Sequence, residues 1–371
     1  MNVSLVELYG VGGTADYTDC LAQALADRGH DVSVITSSLF EPLRTPRYAV
    51  HRVFGYKSSQ PRWLKAIELS AGLRRARAAV ERARAQVVHA QGTVIPAVER
   101  RFYASLAGRA RVCTAHDVTG HERRRVLGAY PPFYATFDAL VCHSRSSAEQ
   151  LQQALPGADI TVMPHARYTP LVSSTVSRAD ARQRLGLSED ARVALMFGFL
   201  RPYKGLGVFL AALQRAAAAD RRVVGLVAGR PLYDISAFRR AAARDHTPVR
   251  WDLRHIPRSE MHVQFAAADV VVLPYTDTSD SGLIELAAAF RRPVVVTRTG
   301  GLPEAFARYG AGAIVPPRDP AALARAIVRT AAAPPTRSLP GAPWSAVAAQ
   351  TEALYERLLA MAGPDVSRGA A

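Results

Sequence analysis

The chain of 371 residues reads as an α/β protein made of two doubly wound domains facing across a cleft. Three observations predict that class. Strands of unbroken apolar residues alternate with helices of about a dozen residues, the pattern of parallel sheets covered on both faces. The length suggests about two domains rather than one core. The alternation lapses in the polar stretch "TPLVSSTVSRADARQRLGLSED" and again at "PPTRSLPG". This divides the chain into an expected domain at 1–170, a second at 171–340, and a tail at 341–371.

In order, "VSLVEL" is an apolar strand, "YGVGGT" a glycine turn, and "ADYTDCLAQALADRG" a helix closed by Gly29, with "HDVSVIT" the next strand. "AQVVHA", "ARVCTAH", "DALVCHS" and "ADITVMP" are further buried strands with helices between them. A second series opens with strand "RVALMFGF" and helix "GVFLAALQRAAAA", then "RVVGLVAG" and "SAFRRAAARD". It continues through "VRWDL", "SEMHVQFAAA", "DVVVLPY" and "SGLIELAAAF". "PVVVTRT", "LPEAFARYG", "GAIVPP" and "PAALARAIVRTAAA" complete it, "PPTRSLPG" breaks it, and "WSAVAAQTEALYERLLAMA" is one last amphipathic helix.

Composition narrows the function classes. Apolar content of 49% with 21% charged residues is that of a globular chain. No apolar run approaches the roughly 18 residues of a membrane helix, and "MNVSLVELYG" lacks the features of a signal peptide. Three widely spaced cysteines without Cys-x-x-Cys point to a reducing cytoplasm and away from a cysteine metal site. A net charge of +16 asks for an acidic partner. The excess is spread over both halves and is nearly all arginine, as in a GC-rich genome, so nucleic-acid binding is not expected.

Doubly wound sheets bind ligands outside the carboxyl ends of their strands, and several loops there carry chemistry. "GVGGT" leaves the Gly12 and Gly13 amides bare at a helix start, as an anion site or simply a tight turn. It is not the dinucleotide fingerprint, and the second strand ends without the carboxylate that would hold a ribose. "FGFLRPYKGLG" carries Arg201 and Lys204, the latter one of only three lysines in the chain. A compact charge beside a two-pronged donor suits a diphosphate.

"YTDTSDSGLIELAAAF" places the amides of Ser281, Gly282 and Leu283 at another helix start, with Glu285 in its first turn. Glu285 alone could be a helix-dipole charge. Asp277 and Asp280 precede that helix and suit sugar hydroxyls or solvent better than a diphosphate. "TRTGGLPE" is a third glycine loop. "TAHDVTGH" sets His116, Asp117 and His121 at a strand end, fit for acid-base work, for substrate hydrogen bonding, or for a satisfied loop. Neither His-x-x-x-His nor Asp-x-Asp occurs, so no metal is expected.

Taken together, "FGFLRPYKGLGVFLAAL", "AAADVVVLPYTDTSDSGLIELAAAF" and "PVVVTRTGGLPEAF" resemble the nucleotide-sugar half of family-4 glycosyltransferases, retaining enzymes with two Rossmann-like domains (the GT-B fold). "VCHSRSSAEQL" and "VMPHA" are similar to that family's approach to the interdomain linker, and the last helix to the one that crosses back onto the first domain. The resemblance implies that Gly12 and Gly13 lie under the donor diphosphate or the acceptor, that His116 hydrogen-bonds the transferred sugar, and that Asp117 lies on the acceptor side. It implies that Lys204 grips the diphosphate together with the Ser281, Gly282 and Leu283 amides, and that Glu285 holds the donor ribose. The family's second glutamate, eight positions earlier, is Asp277 here, and its usual arginine is Phe199, with Arg201 the substitute.

The implied activity is retaining, metal-independent transfer from a nucleoside-diphosphate sugar to a small-molecule, glycan or lipid-linked acceptor hydroxyl. No cofactor is expected. The alternatives are a binding protein of the same fold without catalysis, and a nucleotide-sugar epimerase. The composition fits actinobacterial biosynthesis. "PRWLKAIELSAGLRRARAAVERARA", with seven basic and two acidic side chains, adds peripheral contact with an anionic membrane as a secondary expectation.

Overall fold

A computed structural model describes residues 1–55, 61–118, 130–172, 176–333 and 341–362. The chain divides into two compact units, Met1–Ala166 with the segment from Ala342 onward, and Arg167–Gly341. Each unit is built on one parallel sheet.

Unit 1 contains strands β1 (Asn2–Val6), β2 (Asp31–Ser37), β3 (Ala49–Phe54), β4 (Val87–Gln91), β5 (Ala110–Thr114), β6 (Ala139–Cys142) and β7 (Ile160–Val162). Their order in the sheet is β3-β2-β1-β4-β5-β6-β7, every pair parallel. The chain winds outward from β1 in one direction and from β4 in the other, so the loops after these two strands flank the point where the winding reverses. Helices α1 (Gly13–Asp27), α2 (Arg62–Arg82), α3 (Pro96–Ala104), α4 (Tyr130–Tyr134) and α5 (Arg145–Ala154) make the connections. β1, β2, β4 and β6 are buried almost throughout, and their polar residues are covered with the rest, the Ser4 and Ser33 hydroxyls meeting at 2.8 Å.

Sequence patterning does not single out β3. It is an edge strand that sets the polar pair His51–Arg52 between apolar pairs, pairs with β2, and takes its packing from α2, whose Gly72 lies against the Phe54 ring.

Unit 2 repeats the plan with β8 (Arg192–Phe197), β9 (Val223–Ala228), β10 (Val249–Asp252), β11 (Val270–Leu273), β12 (Val294–Thr297) and β13 (Gly312–Val315). The order is β10-β9-β8-β11-β12-β13, all parallel, so the winding reverses between β8 and β11. Its helices are α6 (Arg178–Leu185), α7 (Leu206–Ala219), α8 (Ser236–Arg244), α9 (Arg258–Ala267), α10 (Leu283–Ala289), α11 (Leu302–Tyr309) and α12 (Pro320–Ala332).

Within the polar stretch that divides the two series, the structure holds α6, a short helix that buries an arginine, Arg182, beside Ala181 and Leu185. Arg182 is 1% exposed, donates to the Ala267 carbonyl at 3.2 Å and pairs with Asp269 at 2.7 Å. With only Ala181 and Leu185 apolar on its buried side, the helix offers too short an apolar period to read.

Helix α13 (Trp344–Met361) belongs to unit 1 and packs on α1. Arg28 pairs with Glu352, the Trp344 ring meets Tyr17 edge-on at 5.2 Å, and Tyr355 is fully buried against His89. No described helix is long and apolar enough to cross a membrane.

Candidate active site

In unit 2 the loops after β8, β11 and β12 are knitted into one surface at the carboxyl edge of the sheet. The Thr276 amide donates to the Tyr203 carbonyl at 2.7 Å, the Thr297 hydroxyl to the Tyr275 carbonyl at 2.7 Å, and the Gly301 amide to the Ser279 carbonyl at 2.8 Å. Two glycines permit the close approach. Gly205 has φ of 75°, and a side chain there would overlap the Pro274 carbonyl. Gly300 has φ of 47°, and an added Cβ would overlap the Thr278 carbonyl and stand 2.7 Å from that of Ser279.

Lys204 ends a short 3-10 turn, Pro202–Lys204, that leads into α7. Its Nζ lies 5.7 Å from the centre of the Tyr275 ring, and a Cβ on Gly198 would come within 3.2 Å of it. Among the described residues no carboxylate forms an ion pair with it. Burial, and then the neighbouring Arg201, push its pKa down to about 8. Phe199, where the family pattern has arginine, stacks on His255 with ring centres 5.8 Å apart.

Ser281, Gly282 and Leu283 stand at the start of α10, which buries its Ile284–Ala288 face. The Leu283 amide donates to the Ser281 hydroxyl at 3.3 Å, so an anion meeting that amide displaces a long, weak bond. Glu285 is buried and accepts from Arg167 Nε at 2.9 Å. The Arg167 guanidinium sits over the Tyr309 ring at 5.5 Å and against Gly341. Sequence reasoning missed Arg167, because its partner lies 118 positions away and nothing local marks it. Asp277 is exposed on the same loop.

In unit 1 the glycine turn after β1 is held from below by Glu7, which sequence reasoning also missed. Its buried carboxylate accepts the Tyr9 amide at 2.8 Å, the Gly10 amide at 2.7 Å and the Thr36 hydroxyl at 2.9 Å. Burial raises its pKa against the opposing pull of these bonds. An acid at a strand end just before a glycine turn is the signal that could have found it. Gly12 precedes α1 and Gly13 opens it, with no atom within 4 Å of where a Gly13 side chain would begin.

His116 and Asp117 follow β5, and the Asp117 carbonyl accepts from the Tyr134 hydroxyl at 2.9 Å. His116 Nδ1 lies 3.1 Å from His143 Nε2, and its Nε2 lies 3.3 Å from Gln91 Oε1. Burial, then His143 and His89, hold its pKa well below the ordinary value. With His165 these form a group of three histidines, their ligand atoms within 4.8 Å of one another, packed around Tyr17. Spacings within single segments could not show this group, because its members follow three different strands. His121 and much of the 117–132 loop lie outside the described residues. On α2, Trp63 and Ile67 are 67% and 58% exposed one turn apart.

A family model described as Glycosyltransferase Family 4 matches residues 11–167, and one described as Glycosyl transferases group 1 matches residues 191–332. The D-inositol 3-phosphate glycosyltransferase of Saccharomonospora viridis is 32% identical over 253 residues, 63% of this chain and 57% of that protein. The enzyme of the same name from Geodermatophilus obscurus is 34% identical over 225 residues, 55% of this chain and 48% of that protein. The chain thus spans about half the length of these curated relatives. Sucrose-phosphate synthase from Thermosynechococcus elongatus superposes with a TM-score of 0.73 at 20% identity, covering 97% of this chain and 99% of that one. Anabaena HepE, solved with UDP-glucose, gives 0.68 at 18% identity, covering 98% of each chain. At these identities the two structures speak for the fold.

Proposed function

Because the chain belongs to glycosyltransferase family 4, we propose that it is a retaining, metal-independent glycosyltransferase drawing on a nucleoside-diphosphate sugar. The single observation that carries this reading is Lys204: a partly buried cation with no carboxylate partner among the described residues, beside Arg201, where the unit 2 sheet reverses its winding.

Lys204 and Arg201 take the diphosphate, with the amides of Ser281, Gly282 and Leu283. Glu285, aimed by Arg167, takes the ribose. Gly12 and Gly13 leave room for donor or acceptor, His116 and Asp277 contact the transferred sugar, and Asp117 lies on the acceptor side. The bond from the anomeric carbon to the diphosphate breaks as the bond to the acceptor oxygen forms on the same face. The departing phosphate oxygen takes the acceptor's proton. Charge that grows on the diphosphate is met by cations already in place, the role a metal serves in other transferases.

The test is thermal stability against UDP, GDP, ADP, CDP and TDP, with and without a chelator. A ligand that binds only the folded state raises the midpoint, by about 2.7 kcal/mol of stabilisation at a hundred times Kd. One nucleotide is expected to do so equally with chelator present. No shift with any of them would overturn the donor site and leave a binding protein without catalysis.

A peripheral membrane contact is supported by Trp63 and Ile67 on the basic helix α2. Co-sedimentation with anionic vesicles at low salt is expected, and its absence removes that part of the reading.

A further inference from the structure

Four groups stand in line at the carboxyl edge of the unit 1 sheet. His143 follows β6, is fully buried, and sets Nδ1 2.9 Å from the carbonyl oxygen of Met163. A carbonyl only accepts, so that nitrogen carries a proton. The other nitrogen, Nε2, lies 3.1 Å from His116 Nδ1. Next along, His116 Nε2 faces the Gln91 side-chain amide at 3.3 Å. As placed, that amide turns its oxygen to the ring, while its NH2 is buried without a partner. The two ends of an amide are nearly isosteric, and turning it over gives the orphaned NH2 an acceptor.

We propose that His143 is a positioning residue that fixes the tautomer of His116. With its own Nδ1–H given to Met163, neutral His143 accepts from His116 Nδ1–H, and His116 Nε2 is left as a lone pair. Burial of His116 acts in the same direction, because it disfavours a second proton on that ring. The His143 ring is clamped against His165 at 3.8 Å between centres and against Tyr17 at 5.1 Å, so it does not turn to reverse the chain.

The consequence rests on the proposed contact between His116 and the transferred sugar. His116 can only accept there, so the sugar must offer a hydroxyl proton in place of the Gln91 amide. A donor with hydrogen or fluorine at that position is discriminated against. The histidines are also close enough to share an ion, but the bond between His116 and His143 accounts for their nearest approach.

The test is the ring 15N–1H correlation spectrum of histidine-labelled protein, with His116 assigned by its loss in His116→Gln. His116 is expected as the Nδ1–H form, the minority tautomer of free histidine. In His143→Leu it should leave that form, with kcat down about tenfold and KM within about twofold. His143→Gln, whose amide can accept from His116 and donate to Met163, should restore both spectrum and kcat. A wild-type spectrum with His116 as Nε2–H overturns the proposal, even if His143→Leu does not fold. So does a His116 pattern unchanged in His143→Leu, or stoichiometric zinc binding that His143→Leu abolishes. Full turnover in His116→Gln beside the expected spectrum upholds the tautomer and refutes the sugar contact, so the two readings fail separately.

Discussion

Lys204 carries its charge at a cost to the free protein. Its pKa in the folded protein is about 8, against 10.5 for the free side chain. Between those values the unfolded chain binds more protons than the folded one, so this residue adds stability as pH rises from about 8 toward 10.5. Below 8 its buried charge is a cost that a diphosphate would relieve. Nucleotide affinity is therefore expected to fall as pH rises past about 8, and Lys204→Arg should lose most of that dependence. Lys204→Ala should lower turnover by roughly two to three orders of magnitude while circular dichroism stays that of the wild type. Titration calorimetry across pH and steady-state rates check the pair, and wild-type turnover in Lys204→Ala would sink the assignment.

At the scale of elements, the carboxyl-edge loops of unit 2 depend on one another. Gly205→Ala would put a side chain into the Pro274 carbonyl at a left-handed position. We expect it to cost at least about 2 kcal/mol in urea unfolding, and to weaken nucleotide binding through displaced Lys204. The alternation that builds these sheets was legible because their central strands are buried on both faces, as "VVVL" at β11 and "VVVT" at β12 show. β3 was not, since an edge strand can keep arginine and histidine among its residues. Nor was α6, which buries Arg182 beside only Ala181 and Leu185. Lys204 and Ser281 could be picked out because each sits between an apolar strand and a helix start. Glu7 carries a weaker local mark, an acid before a glycine turn, and Arg167 and the His116–His143 pair carry none. The roles of these last come from partners in distant segments, Glu285 in α10 for Arg167 and the loop after another strand for each histidine, and the spacing within any one segment carries no trace of them.

For the whole molecule, the decisive fact is that unit 1 is discontinuous, closed by α13 from the far end of the chain. Tyr355 is the deepest tie: its hydroxyl lies 2.6 Å from His89, whose other nitrogen lies 2.7 Å from the Thr114 hydroxyl. That enclosure, with His143 nearby, pushes the His89 pKa down to about 3. Tyr355→Ala removes a buried ring and strands the histidine, and is expected to cost about 3–5 kcal/mol. Calorimetry should show a lowered midpoint while the nucleotide-induced shift, expected of the proposed site in unit 2, persists. Loss of that shift would show that the nucleotide site depends on α13. The same topology sets a schedule for synthesis. The ribosome delivers the seven-stranded sheet first, then all of unit 2, and only afterwards the helix that covers Tyr17 and α1. At about 5–20 residues per second, the amino-terminal sheet waits roughly ten seconds or longer with that face bare. The nascent chain is therefore expected to finish its second half before its first, and to lean on a chaperone in the interval.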